Sequence, residues 1–92
     1  MTEQRAFRRA EGAAAGVVDG QTVIVSPTDL RYHALNSTAA EVWSLLADGT
    51  TVDRAVESLV ARFEVDEPTC RREVEACLED FVSIGIAAPG DE

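Results

Sequence analysis

The chain has no lysine. Its 92 residues carry 8 basic side chains, all arginine, against 17 acidic ones, for a net charge of −9 at pH 7. That balance works against nucleic acid as a partner, because neutralised phosphates supply most non-specific affinity. It also works against adsorption to an anionic membrane. No apolar run approaches the roughly 18 residues of a spanning helix. The N-terminus has arginines but no apolar stretch fit for a signal peptide, so the expected compartment is the cytosol. Histidine occurs once, at His33, and cysteine twice. Cys70 and Cys77 share one expected helix about 10 Å apart, too far for a disulfide. Their spacing is not that of a zinc site, and they read as small buried apolar residues. Glycine-rich phosphate loops, GxSxG elbows, HExxH and EF-hand loops are missing. Ser58, in Glu57-Ser58-Leu59, lies mid-helix and not at the helix start where carrier proteins attach their prosthetic arm. His33 has no partner at motif spacing and reads as a packed or half-exposed strand histidine. Neither catalysis, a metal nor a cofactor is expected.

What is present fits one small domain. At this length roughly 60–65 % of the unfolded surface can be buried. Residues 1–12 have no clear period and read as a flexible tail, with a short edge strand around Phe7 as the alternative. Residues 13–88 form the domain, and 89–92 a second loose tail. Asp19-Gly20 separates two β-branched runs, a hairpin signal of the type I′ kind, so strands are expected near 14–18 and 21–26. Ser26-Pro27-Thr28-Asp29 is a turn, followed by a third strand over 30–35. The period then changes from 2 to 3.6. Thr38 and Glu41 have capping-box spacing, with Asn36 or Ser37 as alternative caps. Ala39, Val42, Trp43 and Leu46 make one face of a helix that stops at Asp48-Gly49. Thr50 or Thr51 caps a second helix, apolar at Val52, Ala55, Val56, Leu59, Val60 and Phe63. Asp66 caps a third, with Pro68 in its first turn and Gly85 at its end. Ile86-Ala87-Ala88 is expected to fold back.

The expected fold class is therefore α+β: a three-stranded antiparallel sheet followed by three helices, winged helix-turn-helix-like. Three strands cannot close on themselves, so one sheet face must pack on helices and the edges stay open. DNA reading by the third helix is disfavoured, since it carries two arginines against four carboxylates and phosphates would repel it. A winged-helix regulator or antitoxin-type interaction protein is an alternative reading.

The ordered set of Val18-Asp19-Gly20-Gln21-Thr22-Val23-Ile24-Val25, Tyr32-His33-Ala34-Leu35-Asn36-Ser37-Thr38-Ala39, Glu41-Val42-Trp43-Ser44-Leu45-Leu46 and Asp48-Gly49-Thr50 resembles the PqqD-like family. The similarity runs on through Phe63-Glu64-Val65-Asp66 to Phe81-Val82-Ser83-Ile84-Gly85-Ile86. It spans about residues 14–87. The chain departs from the family's pattern at Ala39, often glycine there, and at His33, commonly aromatic. The resemblance implies a non-catalytic protein that captures the leader segment of a ribosomally made precursor peptide. It also implies a hand-over to a leader peptidase or other modifying enzyme, most readily in lasso-peptide biosynthesis. Service to a radical-SAM enzyme is the alternative. By that resemblance the leader adds as a strand to 30–35 against the third helix. The implied contact residues are Leu30, Arg31, Tyr32, His33, Ala34 and Leu35, with Arg71, Val74, Glu75, Leu78 and Val82.

Two finer expectations concern this groove. Leu78 and Val82 widen the apolar stripe of the third helix beside Arg71 and Glu75; either Val82 packs against Ile86 or the tail, or, as the resemblance implies, Leu78 and Val82 form a groove wall with Arg71 and Glu75 as its polar rim. The other border of the stripe ends at Ile84, Glu73 and Asp80. In the strand, Leu30, Tyr32 and Ala34 share one face and Arg31, His33 and Leu35 the other, with Leu35 anchored in the core. An Arg31→Pro change is expected to delete one edge donor, or, if Arg31 pairs inward, to unfold the domain.

Overall fold

The computed structural model describes residues 6–28 and 30–90. The elements run β1 (Ala6–Arg9), β2 (Ala14–Val18), β3 (Gln21–Val25), β4 (Tyr32–Leu35), α1 (Ser37–Leu45), a 3-10 turn at Leu46–Asp48, β5 (Thr50–Thr51), α2 (Val52–Arg62), α3 (Glu67–Ser83) and β6 (Ala87–Gly90). They form two antiparallel three-stranded sheets, β2-β3-β4 and β5-β1-β6, around three helices. The α+β class and the sheet-then-helices order hold, and a second sheet joins them.

The wing sheet β2-β3-β4 follows from its turn chemistry. Asp19 and Gly20 both take positive φ, 53° and 78°, as a two-residue type I′ turn requires. Val18 then pairs with Gln21 and Ala14 with Val25. β4 begins at Tyr32, two residues later than expected, because Leu30 sits in the left-handed region (φ 59°) and its N–H donates to the Ser26 carbonyl at 2.8 Å. Ser26 is fully buried. Its hydroxyl donates to the Ile84 carbonyl at 2.6 Å and accepts from the Thr28 N–H at 3.2 Å. The base of the wing is thereby tied to the end of α3.

The helices are capped at positions the sequence offers. Asn36 accepts from the Ala39 N–H, Thr51 from Arg54 and Asp66 from Thr69. Of the expected α2 face, Ala55, Val56 and Leu59 are buried, while Val60 and Phe63 are exposed. Gly85 ends α3 with φ 87°, and a methyl group there would lie 2.6 Å from the Thr28 hydroxyl oxygen. One core gathers Ile24, Leu35, Val42, Trp43, Leu46, Leu59, Val74, Leu78, Phe81 and Ile86 with Phe7. Trp43 and Phe81 meet edge to face at 6.5 Å, a geometry that aromatic quadrupoles favour.

The expected tails at 1–12 and 89–92 need correction, and the alternative of a strand around Phe7 holds, although that strand is central and not at an edge. Ala6–Arg9 is the central strand of the second sheet, paired with Thr50–Thr51 on one side and Ala87–Gly90 on the other. Phe7 is buried in the core. The Arg9 guanidinium lies 4.2 Å over the Trp43 ring and donates to the Trp43 carbonyl from Nε and Nη2. The strand is four residues long with one large apolar side chain, too short to show a period. Its pairing partners lie over forty residues away, beyond any local signal. The parts of those tails at 1–5 and 91–92, and the turn residue Asp29, lie outside the described residues.

Candidate functional site

Among the described residues β4 is an outer strand of the wing sheet, hydrogen-bonded to β3 only. Its open edge can be assigned atom by atom. The Arg31 carbonyl accepts from Ser26 N–H at 3.1 Å, and the Leu35 carbonyl accepts from the Gln21 side-chain amide at 3.4 Å. Both point toward β3. In an antiparallel pair the inward and outward residues alternate. Given the register Thr22↔Leu35, Val23↔Ala34, Ile24↔His33 and Val25↔Tyr32, Tyr32 and Ala34 turn their N–H and C=O groups outward. The edge-donor expectation for Arg31→Pro is thus corrected. Arg31 pairs inward, and the edge donors are Tyr32 and Ala34.

Side-chain faces follow the expected alternation. Leu35 is buried, His33 half-buried, and Tyr32 and Ala34 exposed on the outer face. Leu30 and Arg31 precede the strand and are exposed.

Between β4 and α3 runs a groove of about 700 Å³. One wall is His33, Ala34 and Leu35, continued by Asn36, Thr38 and Ala39 at the start of α1. The opposite wall is Glu73, Ala76, Cys77, Asp80, Phe81 and Ile84. Glu73 to Ile84 spans about 16 Å of helix, room for about five residues of extended chain. Cys77 is half-buried on that wall. Burial, helped by Asp80's charge, pushes its thiol up to about 12, which leaves it neutral near pH 7. The His33 Nε2 atom is buried and, among the described residues, is the one such side-chain atom with no hydrogen-bond partner.

The α3 residues expected at the groove do not lie there. Val74 is fully buried in the core. Arg71, Glu75, Leu78 and Val82 line a second depression of about 530 Å³ with Phe7, Val52 and Glu79. Arg71 is held there by Asp53 at 2.7 Å and Glu67 at 3.1 Å, which together raise its pKa. Periodicity identified both borders of the α3 stripe but not which border meets β4. The second sheet settles it, because β1 and the start of α2 flank the Leu78–Val82 side. Glu73, Asp80 and Ile84 are legible as the other border, and Cys77 and Phe81 as the centre of the stripe. Ala76, Asn36 and Thr38 gave no signal of their own as lining residues.

Among the described residues no cluster of His, Cys, Asp or Glu could hold a metal ion, and no helix is long and apolar enough to cross a membrane. An open strand edge beside a helix-walled groove, on a winged-helix-like frame, is an arrangement to which an extended chain can add as a further strand.

The family model described as coenzyme PQQ synthesis protein D matches residues 21–87. The chain belongs to the PqqD family. The match takes in β3, β4 and all three helices and omits β1 and β2. Among solved structures, TbiB1 in complex with the TbiA(beta) leader peptide is 20% identical, covers 92% of this chain and 99% of its own, and superposes with a TM-score of 0.80. A lasso peptide synthetase B1 complexed with the leader peptide is 25% identical over 90% of this chain and 98% of its own, with a TM-score of 0.79. The PqqD truncation of Methylobacterium extorquens PqqCD, described as a stand-alone RiPP recognition element, is 16% identical over 90% and 88%, with a TM-score of 0.74. No curated protein sequence matches.

Proposed function

We propose that this chain captures the leader segment of a ribosomally synthesised precursor peptide as an added strand on β4, and presents it to a leader-cleaving or modifying enzyme in the cytosol. Lasso-peptide biosynthesis is the setting that the two leader-bound B1 neighbours favour. The observation that carries the reading is the open edge of β4, with Tyr32 and Ala34 turned outward beside the groove. Main-chain bonds from those residues would supply affinity, and pockets for alternate side chains selectivity. The α3 contacts belong to Glu73, Ala76, Cys77, Asp80 and Ile84, with Leu30–Leu35 opposite. The chain's own part is binding and presentation, with no bond made or broken.

Titration by fluorescence anisotropy with the leader half of a precursor peptide encoded beside this chain tests the reading. Saturable binding at micromolar or tighter affinity is expected. Ala34→Pro, which deletes an outward donor at a tolerated edge position, should abolish it while the circular dichroism spectrum stays unchanged. Absence of binding by the folded wild-type protein, alone and with the partner enzyme, rejects the reading. A radical-SAM enzyme as the sole stimulated partner would move it from the lasso setting to the PQQ type, which the family match also admits.

A further inference from the structure

The two carboxylates of the groove call for an explanation. Glu73 and Asp80 are both exposed and line the β4 side of α3. No Arg stands among the lining residues. Neither carboxylate enters any of the ion pairs among the described residues, which join Arg62 to Glu41 and Arg71 to Asp53 and Glu67. On the opposite side of the same helix the depression that holds Glu75 and Glu79 also holds Arg71. Among the described residues, an arginine stands beside the carboxylates on one flank of α3, itself paired to Asp53 and Glu67, and none lines the groove on the other.

The shape of the groove narrows what can supply one. Its α3 wall carries the apolar Ala76, Cys77, Phe81 and Ile84 and, among them, the exposed carboxylates Glu73 and Asp80. A side chain that suits both parts has a long apolar stem and a cationic head. Lys and Arg lay such stems along apolar surface while the head stays in water. A metal ion would need ligands converging on one point, and Glu73 and Asp80 lie about 10 Å apart along the helix. An added strand presents groove-facing side chains every ~7 Å, so one or two basic residues on that face reach the two carboxylates.

We propose that Glu73 and Asp80 make the groove selective for an extended segment carrying Lys or Arg on its α3-facing side. The inference rests on the leader-capture reading and adds the chemistry of the segment to it. Because both carboxylates are exposed, each pair contributes modestly and is screened by salt. The rim discriminates among leaders more than it holds them, and main-chain pairing with β4 supplies the rest.

The probe is the same leader peptide, fluorescein-labelled, and a version with every Lys and Arg replaced by Gln. In 50 mM salt, the Glu73→Gln/Asp80→Asn variant is expected to bind the native leader about five-fold more weakly, the effect of two exposed ion pairs. A variant with the same loss of charge away from the groove, Glu57→Gln/Glu79→Gln, should stay within two-fold of wild type. The Gln-substituted leader should lose about five-fold against wild type and nothing further against Glu73→Gln/Asp80→Asn. Equal weakening by both variant pairs would overturn the inference in favour of the overall −9 field. So would no weakening by either, or tight binding of a leader with no basic residue in its bound segment. In those cases loss of binding in Ala34→Pro still supports strand capture, so the two readings fail separately. No saturable binding by the wild-type protein overturns both.

Discussion

The two sheets that flank α3 are built to opposite ends. The terminal sheet β5-β1-β6 draws its strands from both ends of the described chain and the middle, and each is anchored. Phe7, Thr50 and Ala87 are buried, and Arg9 covers Trp43. The wing sheet β2-β3-β4 joins strands adjacent in sequence and barely touches the core. All of β2 is exposed, Val17 at 72% and Tyr32 on β4 at 76%. Only Ile24 and Leu35 enter the core cluster from it. The terminal sheet closes the fold by long-range pairing. The wing leaves an edge free beside a groove. Buried anchors lie on one flank of the helix, and the open strand edge lies on the other.

That division breaks most visibly at Phe7. Phe7→Ala removes a buried aromatic from the central strand, and about 3 kcal/mol of stability should go with it, read by urea unfolding. A frayed N-terminus would show no change. Gly85→Ala comes next. It forces a side chain into positive φ, at about 1–2 kcal/mol, and drives its methyl toward Thr28 at the foot of the wing. Its thermal midpoint should fall by several degrees. Arg9→Ala loses a cation–π contact and two hydrogen bonds to the Trp43 carbonyl, at about 1–2 kcal/mol, with a changed Trp43 fluorescence spectrum. On the wing, Val17→Ser should cost less than about 0.5 kcal/mol, because the side chain is already in water.

The sequence exposed the wing and hid the terminal sheet for one physical reason. Asp19-Gly20 is a local turn code, and Val23-Ile24-Val25 is a local strand code, so the hairpin could be read from a few adjacent residues. The cap residues Asn36, Thr51 and Asp66 are equally local. Ala6–Arg9 and Ala87–Gly90 form a strand pair only because the helices bring their backbones together. Phe7 is the one strand-favouring side chain in the first segment, and the Ala-Pro-Gly of β6 favours extended pairing least of all. Which border of α3 meets β4 depends on the same long-range pairing. The third helix has apolar residues on an arc wide enough to face two ways, and periodicity alone does not choose between them. With β1 in place, the same arc resolves into a core side, a β1 side and a β4 side.

The smallest effect separates charge from shape at the start of α3, where both flanks of the helix begin. Asp66 caps the helix, and the Thr69 side chain and N–H, with a contribution from Arg72's charge, lower its carboxyl below the ordinary 3.8. Asn is an equally good cap in shape, so Asp66→Asn removes the charge and little else. A carboxyl whose folded pKa is depressed stabilises above its unfolded pKa and loses that contribution as pH falls through the folded value. Wild type should therefore exceed Asp66→Asn in thermal midpoint by a small constant margin above about pH 5, and the margin should shrink below about pH 4. A margin that persists undiminished to pH 2 would mean that the helix start depends on the shape of the cap alone.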